Sequence, residues 1–325
     1  VQQREIVDGE WSTPVFSATT VDGAGFVGLS NVNGQISLVE SSNGFGVDQT
    51  TVTDFPFGYF TNEMRTTNAG YHVVGQLGLF EDAVFTSDDG LSWERFPIEV
   101  PGTATALQID HFHRTESAAA MAGSLGWADD LERTELTMIW WDEQGTATVV
   151  PPRPCEEAIP CSVTSLVAVS NGVVVTHQVG GKTVLSRWTS ANGWRATADP
   201  EAELAKYPAF QNARLQSQRP DQIVVLGLPQ FIESFNGGLT WDIERDGPQG
   251  VTGFFVAASS NGDSAMFLSA DGEDAWVLHE GIWSRFSLAT VELGVPLAIA
   301  DGVALFGGRA GSGSGVIRFA PAGAS

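Results

Sequence analysis

The sequence predicts an all-β protein, a seven-bladed β-propeller of four-stranded antiparallel blades formed as a single domain over residues 1–325. Three observations carry this expectation. The first is composition: 37 Gly and 15 Pro with only 17% charged residues suit many short strands joined by turns. Such a mixture suits neither long helices nor disorder, which needs low hydrophobicity and high charge together. The second is an eight-residue stretch, TSDDGLSW at 86–93, that recurs as SFNGGLTW at 234–241. The third is an even spacing of tight turns before a fixed anchor, at Trp11, Phe45, Trp93, Thr146, Trp194, Trp241 and Trp283, separated by 34 to 53 residues. Four-stranded propeller blades need a repeat in this range.

Taken in order, residues 15–51 hold four apolar or alternating runs bounded by Gly turns, each reading as a strand. The second set, 51–100, shows three clear runs, beginning at Tyr71, Ala83 and Trp93. The third, 101–152, carries an acidic insertion, Ala128 to Glu135, between two of its strands. Sets four to six follow over 162–287, interrupted by EAELAK at 201–206, a single helical turn too short to stand alone. The seventh set has three runs, and Glu10–Val15 is expected to serve as its outer strand. Closing the ring with this N-terminal strand removes two open sheet edges. A pair of β-sandwiches is the structural alternative, but it leaves the even spacing unexplained.

Within the repeated stretch, Gly90 and Gly238 supply the positive φ of a tight turn. Asp88 and Asn236 are short enough to accept backbone N–H bonds inside it, with Thr86, Ser92, Ser234 and Thr240 as hydroxyl partners. Trp93 and Trp241 bring large apolar area to neighbouring strands, with each indole N–H needing an acceptor. The Asp of this stretch reads as a structural group.

These two stretches resemble the Asp-box, or BNR repeat, of the sialidase-like β-propeller superfamily. The resemblance implies a propeller over the whole chain, with the boxes on the outer part of the blades, away from any substrate site. Members of that superfamily include sialidases, endo-xyloglucanases and other glycosidases, and also non-catalytic sortilin-type receptors and photosystem-assembly factors. The catalytic sialidase pattern is not matched. There is no Phe/Tyr-Arg-Ile-Pro run, the three tyrosines Tyr59, Tyr71 and Tyr207 have no evident Glu partner, and those enzymes tend to have six blades.

Candidate chemistry lies elsewhere. Asp110, His111, His113 and Arg114 fall early in the third set, where an innermost strand is expected. On a strand, His111 and His113 share one face and Asp110 takes the other. Two such imidazoles can serve as acid and base or ligate a metal, with His177 as a third ligand; equally, they can line a wet channel or satisfy backbone groups. Tyr59, Glu63 and Arg65 form a second mixed aromatic and charged stretch, suited to a carbohydrate or peptide surface or to an ordinary long loop. Of Trp140 and Trp141, one is expected to face outward. No cofactor is expected, and a divalent metal such as calcium or zinc has no dedicated motif here.

The formal net charge of −23, from 16 Lys and Arg against 39 Asp and Glu, excludes the basic footprint of a nucleic-acid binder. No run of 18 apolar residues offers a membrane span. Cys155 and Cys161 sit in PCEEAIPC with no His nearby, so a zinc site is not expected; a local disulfide is, with two free thiols as the alternative. The disulfide, the acidity and a first residue that is Val1 rather than Met point to a secreted, periplasmic or cell-surface protein. The expected function is a binding or interaction module for a glycan or protein ligand. The alternative is a glycan-active enzyme, hydrolase or lyase, with its site at the central channel face.

Overall fold

The computed structural model describes the chain except residues 1–2, 8–14, 20–24, 33–34, 43–47, 54, 56–63, 78–80, 100–103, 128–129, 152–153, 157–158, 161, 180–181, 197–212, 228, 260–262, 290, 301, 311–312 and 321–325. It is a seven-bladed β-propeller, each blade a four-stranded antiparallel sheet. Blade 1 runs Val15–Thr19, Phe26–Val32, Gln35–Ser41 and Asp48–Thr51; blade 2 runs Arg65–Thr67, Gly70–Gln76, Asp82–Ser87 and Glu94–Arg95. Blade 3 holds the longest hairpin: Ala106–Arg114, Ala119–Trp127, Asp130–Trp141 and Ala147–Val149. Blade 4 is Val163–Val169, Gly172–Val179, Lys182–Thr189 and Gly193–Ala196, and blade 5 is Arg214–Gln216, Ile223–Leu226, Gln230–Ser234 and Asp242–Asp246. Blade 6 is Gly253–Ala258, Ser264–Ser269, Asp274–His279 and Ile282–Ser287. Blade 7 combines Val291–Ala300, Val303–Ala310 and Gly313–Ala320 with the N-terminal strand Gln3–Val7.

The ring is therefore closed by the N-terminus, but by a different segment from the one expected. Gln3–Val7 pairs with Gly313–Ala320, Ile6 opposite Ile317, whereas Val15 already begins blade 1. The reason is spatial. A chain leaving an outer strand must cross three inter-strand gaps, about 14 Å, to reach the next inner strand, and Glu10–Val15 leaves no residues for that crossing.

Each blade is covered on both faces by its neighbours, so alternate side chains enter two different interfaces. Trp141 packs with Phe112 and Met121 between blades 2 and 3, while Trp140 packs with Leu166 and Trp188 between blades 3 and 4. Both indoles are buried, which corrects the expectation that one faces outward. Equivalent clusters join blades 4 and 5 around Trp241 and Val174, and blades 5 and 6 around Phe231, Phe255 and Phe267. The acidic residues Asp130–Glu135 are not a loop insertion; they extend the third strand of blade 3, with Glu135 opposite Leu125. Trp11, Phe45 and the stretch 201–206 lie outside the described residues.

The repeated turn joins the third and fourth strands of blades 2 and 5. In the second copy the Ser234 hydroxyl accepts the Gly238 N–H (2.9 Å), and Asn236 Oδ1 accepts the N–H groups of Leu239 (3.1 Å) and Thr240 (2.9 Å). In the first copy the register differs by one. The polar pair is Ser87 and Asp89: Ser87 Oγ accepts the Gly90 N–H (2.8 Å), and Asp89 Oδ1 accepts those of Leu91 (2.8 Å) and Ser92 (2.7 Å). Thr86 stays in the strand ladder opposite Glu94, and Asp88 is exposed. Gly90 has φ +73°, and a Cβ there would press on the Leu38 side chain of blade 1. The indole of Trp93 donates to the Gly90 carbonyl (2.9 Å). Ser87→Ala, which strips the acceptor of a buried N–H, is expected to destabilise by about 1–2 kcal/mol. Asp88→Ala should leave the thermal midpoint unchanged, and equal losses in the two variants would contradict the Ser87–Asp89 assignment.

Candidate functional site

The first strands of the blades form the inner ring, and those of blades 7, 1 and 2, of blades 3, 4 and 5, and of blades 6 and 7 lie next to one another. One of its edges pairs within the blade; the other has backbone N–H and C=O groups without a ladder partner, which need satisfying when buried. The described structure shows how. Side chains of one blade reach the free edge of the next. Asp82 Oδ2 of blade 2 accepts the Ile109 N–H of blade 3 (2.8 Å). His111 Nε2 of blade 3 donates to the Val163 carbonyl of blade 4 (3.2 Å). Ser165 of blade 4 accepts the Leu215 N–H of blade 5 (2.9 Å), and Gln216 of blade 5 donates to the Ala258 carbonyl of blade 6 (2.8 Å).

His113 makes the most complete of these links. Its Nδ1 accepts the Ala168 N–H of blade 4 (3.1 Å), and its Nε2–H donates to the Ser217 carbonyl of blade 5 (3.0 Å). The polarity of those two backbone groups fixes the neutral Nε2–H tautomer. Burial drives its pKa down to about 4, opposed by the Ser217 bond, with Arg65 pushing the same way as burial. His72, on the second strand of blade 2, packs edge-on against Phe112 and against His113, ring centroids 5.3 and 6.1 Å apart. Burial holds its pKa well below the usual range, followed by His113, Arg65 and Arg114. His111 is shifted down by burial and then by Arg65. All three rings are thus neutral at pH 7.

The sequence candidates are therefore distributed as follows. His111 and His113 do share a face toward blade 4, but backbone groups engage Nε2 of His111 and both ring nitrogens of His113. Asp110 sits at a β-bulge between Ile109 and His111, where it is exposed and accepts a bond from Gln108 (3.2 Å). His177 is buried in blade 4, opposite Val163 in the ladder. Among the described residues no three His, Cys, Asp or Glu side chains gather in a way that could hold a metal ion. Tyr59 and Glu63 lie outside the described residues, as does Cys161; Cys155 lies in a small hairpin, Pro154–Glu156 with Ile159–Pro160. Sequence reasoning missed His72, Asp82, Ser165 and Gln216, none of which lies in a recognisable motif.

The two faces of the ring differ. On one, the turns between first and second strands are tied together. Asn68 N–H of blade 2 donates to the Gln218 carbonyl of blade 5 (2.8 Å), across the ring. Glu116 N–H donates to Asn68, and Ser170 donates to Asp221 from both its N–H (2.9 Å) and its hydroxyl (2.7 Å). The repeated turns leave from this same face. The opposite face emits the connections between blades, which are long between blades 1 and 5 (52–64, 96–105, 150–162, 197–213) and short after blade 5 (247–252, 288–290). On that face a cavity of about 260 Å³ opens between blades 2 and 3, at the start of Asp82–Ser87 and Ala106–Arg114.

This architecture defines the chain as a member of the seven-bladed propeller class. No family model matches it, and no curated protein matches it in sequence. Solved structures do resemble it. An acylaminoacyl peptidase from Pyrococcus horikoshii aligns with a TM-score of 0.51 at 9% identity, over 93% of this chain and 50% of that one. YCF48 bound to D1 peptide aligns with a TM-score of 0.48 at 11% identity, over 98% and 95%. The Cps50 (Swd1) β-propeller domain of Myceliophteria thermophila gives 0.49 at 10%, over 98% and 99%. At such identities a likeness speaks to fold alone.

Proposed function

We propose that the protein is an exported binding module that takes a glycan or protein ligand on the face bearing the long inter-blade connections. One observation carries this reading: the two inner-strand histidines are bonded to backbone groups of neighbouring blades, His111 through Nε2 and His113 through both ring nitrogens. A general acid or base must be free to exchange a proton with a substrate. On the opposite face the turns of blades 2 and 5 are joined across the ring, which favours the connection face for a ligand.

A glycan array and a peptide array are the direct test. Saturable binding without release of cleaved product is the expected result; product release would establish the enzymatic alternative instead. The exported setting rests on the disulfide expected between Cys155 and Cys161. Both thiols should resist alkylation until the protein is reduced.

A further inference from the structure

The cavity between blades 2 and 3 has a chemical character of its own. Its lining is mixed: Val84, Phe96, Ile98, Ala104 and Leu107 bring apolar groups, and Glu81, Asp82, Arg95 and Thr105 bring polar ones. Asp82 is 7% exposed, and its carboxylate is only half used. Oδ2 accepts the Ile109 N–H, and the carboxylate makes no second hydrogen bond among the described residues. At the rim, Arg95 and Glu81 pair with each other at 2.7 Å, so the Arg95 guanidinium is already matched by a carboxylate. The chain as a whole carries a formal charge of −23 and favours cationic partners.

A slot with apolar side chains in its wall and a buried carboxylate holding one hydrogen bond suits a ligand with an apolar stem and a cationic tip. The geometry discriminates further. A guanidinium binds a carboxylate best through two parallel N–H bonds to both oxygens, and one oxygen here is taken. An ammonium is a point charge on a four-carbon stem and needs only one. We propose that this cavity receives a lysine side chain of a protein partner, its stem against Val84, Phe96, Ile98 and Leu107 and its ammonium on Asp82. The proposal rests on the binding-module reading and commits it to a protein ligand at this position.

The test titrates the isotope-labelled full chain with three acetylated, amidated glycine-flanked peptides carrying a central lysine, arginine or norleucine, followed by amide NMR. The lysine peptide should shift the amides of Ala83, Val84 and Leu107, with norleucine at least tenfold weaker and arginine between them. Asp82→Asn keeps an acceptor for the Ile109 N–H, so the fold survives; it should weaken the lysine peptide at least tenfold. Ala104→Trp, which fills the slot from its half-buried rim, should abolish the shifts. Equal binding of lysine and norleucine peptides, or shifts confined to other blades, would overturn the proposal. An array ligand that binds wild type and Ala104→Trp equally well also overturns it while leaving the binding-module reading intact.

Discussion

Between pH 6.5 and pH 4 the folded protein is expected to lose about 3 kcal/mol of stability through His113 alone. An unfolded imidazole titrates near 6.5, whereas burial holds that of His113 near 4 in the fold. The folded state therefore binds fewer protons in this window, and stability rises with pH. The contribution is complete above about pH 6.5 and is lost as the pH falls toward 4, at about 1.4 kcal/mol per unit. His72, shifted the same way by the same cause, adds to the loss. Arg65 pushes both pKa values in the same direction as burial, and Arg114 does so for His72. Asp82 works in the opposite sense: its carboxyl is raised by burial, so protonating it favours the fold at the acid end. Urea unfolding at pH 7, 6 and 5 isolates the histidines, because most carboxylates remain ionised there. A flat stability over those three points would mean that His113 is not buried as described.

The substitution His113→Ala is expected to cost about 3–5 kcal/mol and to flatten that pH profile. Removing the ring orphans two backbone groups, the Ala168 N–H and the Ser217 carbonyl, on two different blades. A buried polar group left without a partner costs about 1–3 kcal/mol, and the cavity left behind adds to this. His111→Ala should cost less, since that ring is half-buried and makes one bond, to Val163. Guanidinium denaturation midpoints of the two variants give the comparison. A loss below about 1 kcal/mol for His113→Ala would show that water or a neighbouring side chain can stand in for the imidazole.

The blades were legible in the sequence because each ends in local chemistry: a Gly turn and a large apolar residue at a regular interval. Where local chemistry was ambiguous, the reading slipped. In TSDDGLSW, two hydroxyls and two carboxylates adjoin, and only the direction of each side chain decides that Ser87 and Asp89 hold the turn. The pair Trp140 and Trp141 was misjudged because strand alternation was taken to mean one wet face, whereas a blade has two dry ones. The His111 and His113 alternation was correctly placed on an inner strand. That those rings satisfy backbone groups was one of the expected alternatives; which groups was not legible, since Val163, Ala168 and Ser217 come from other blades and carry only backbone atoms into the contact. His72 and Asp82 lacked any signal for the same reason: a side chain that satisfies a distant backbone group leaves no motif.

Blade 7 has a consequence for how the molecule is made. Three of its strands end at Ala320, and the fourth begins at Gln3. During synthesis Gln3–Val7 has no partner until Gly313–Ala320, about 310 residues on, has followed it. The other six blades can assemble from contiguous chain in the order they emerge, while Gln3–Val7 waits with both edges bare. Closure is then a single late event of very high sequence separation, which is intrinsically slow. Until it happens, the growing ring has two open ends, and a strand edge from a second nascent chain can enter in place of the correct one.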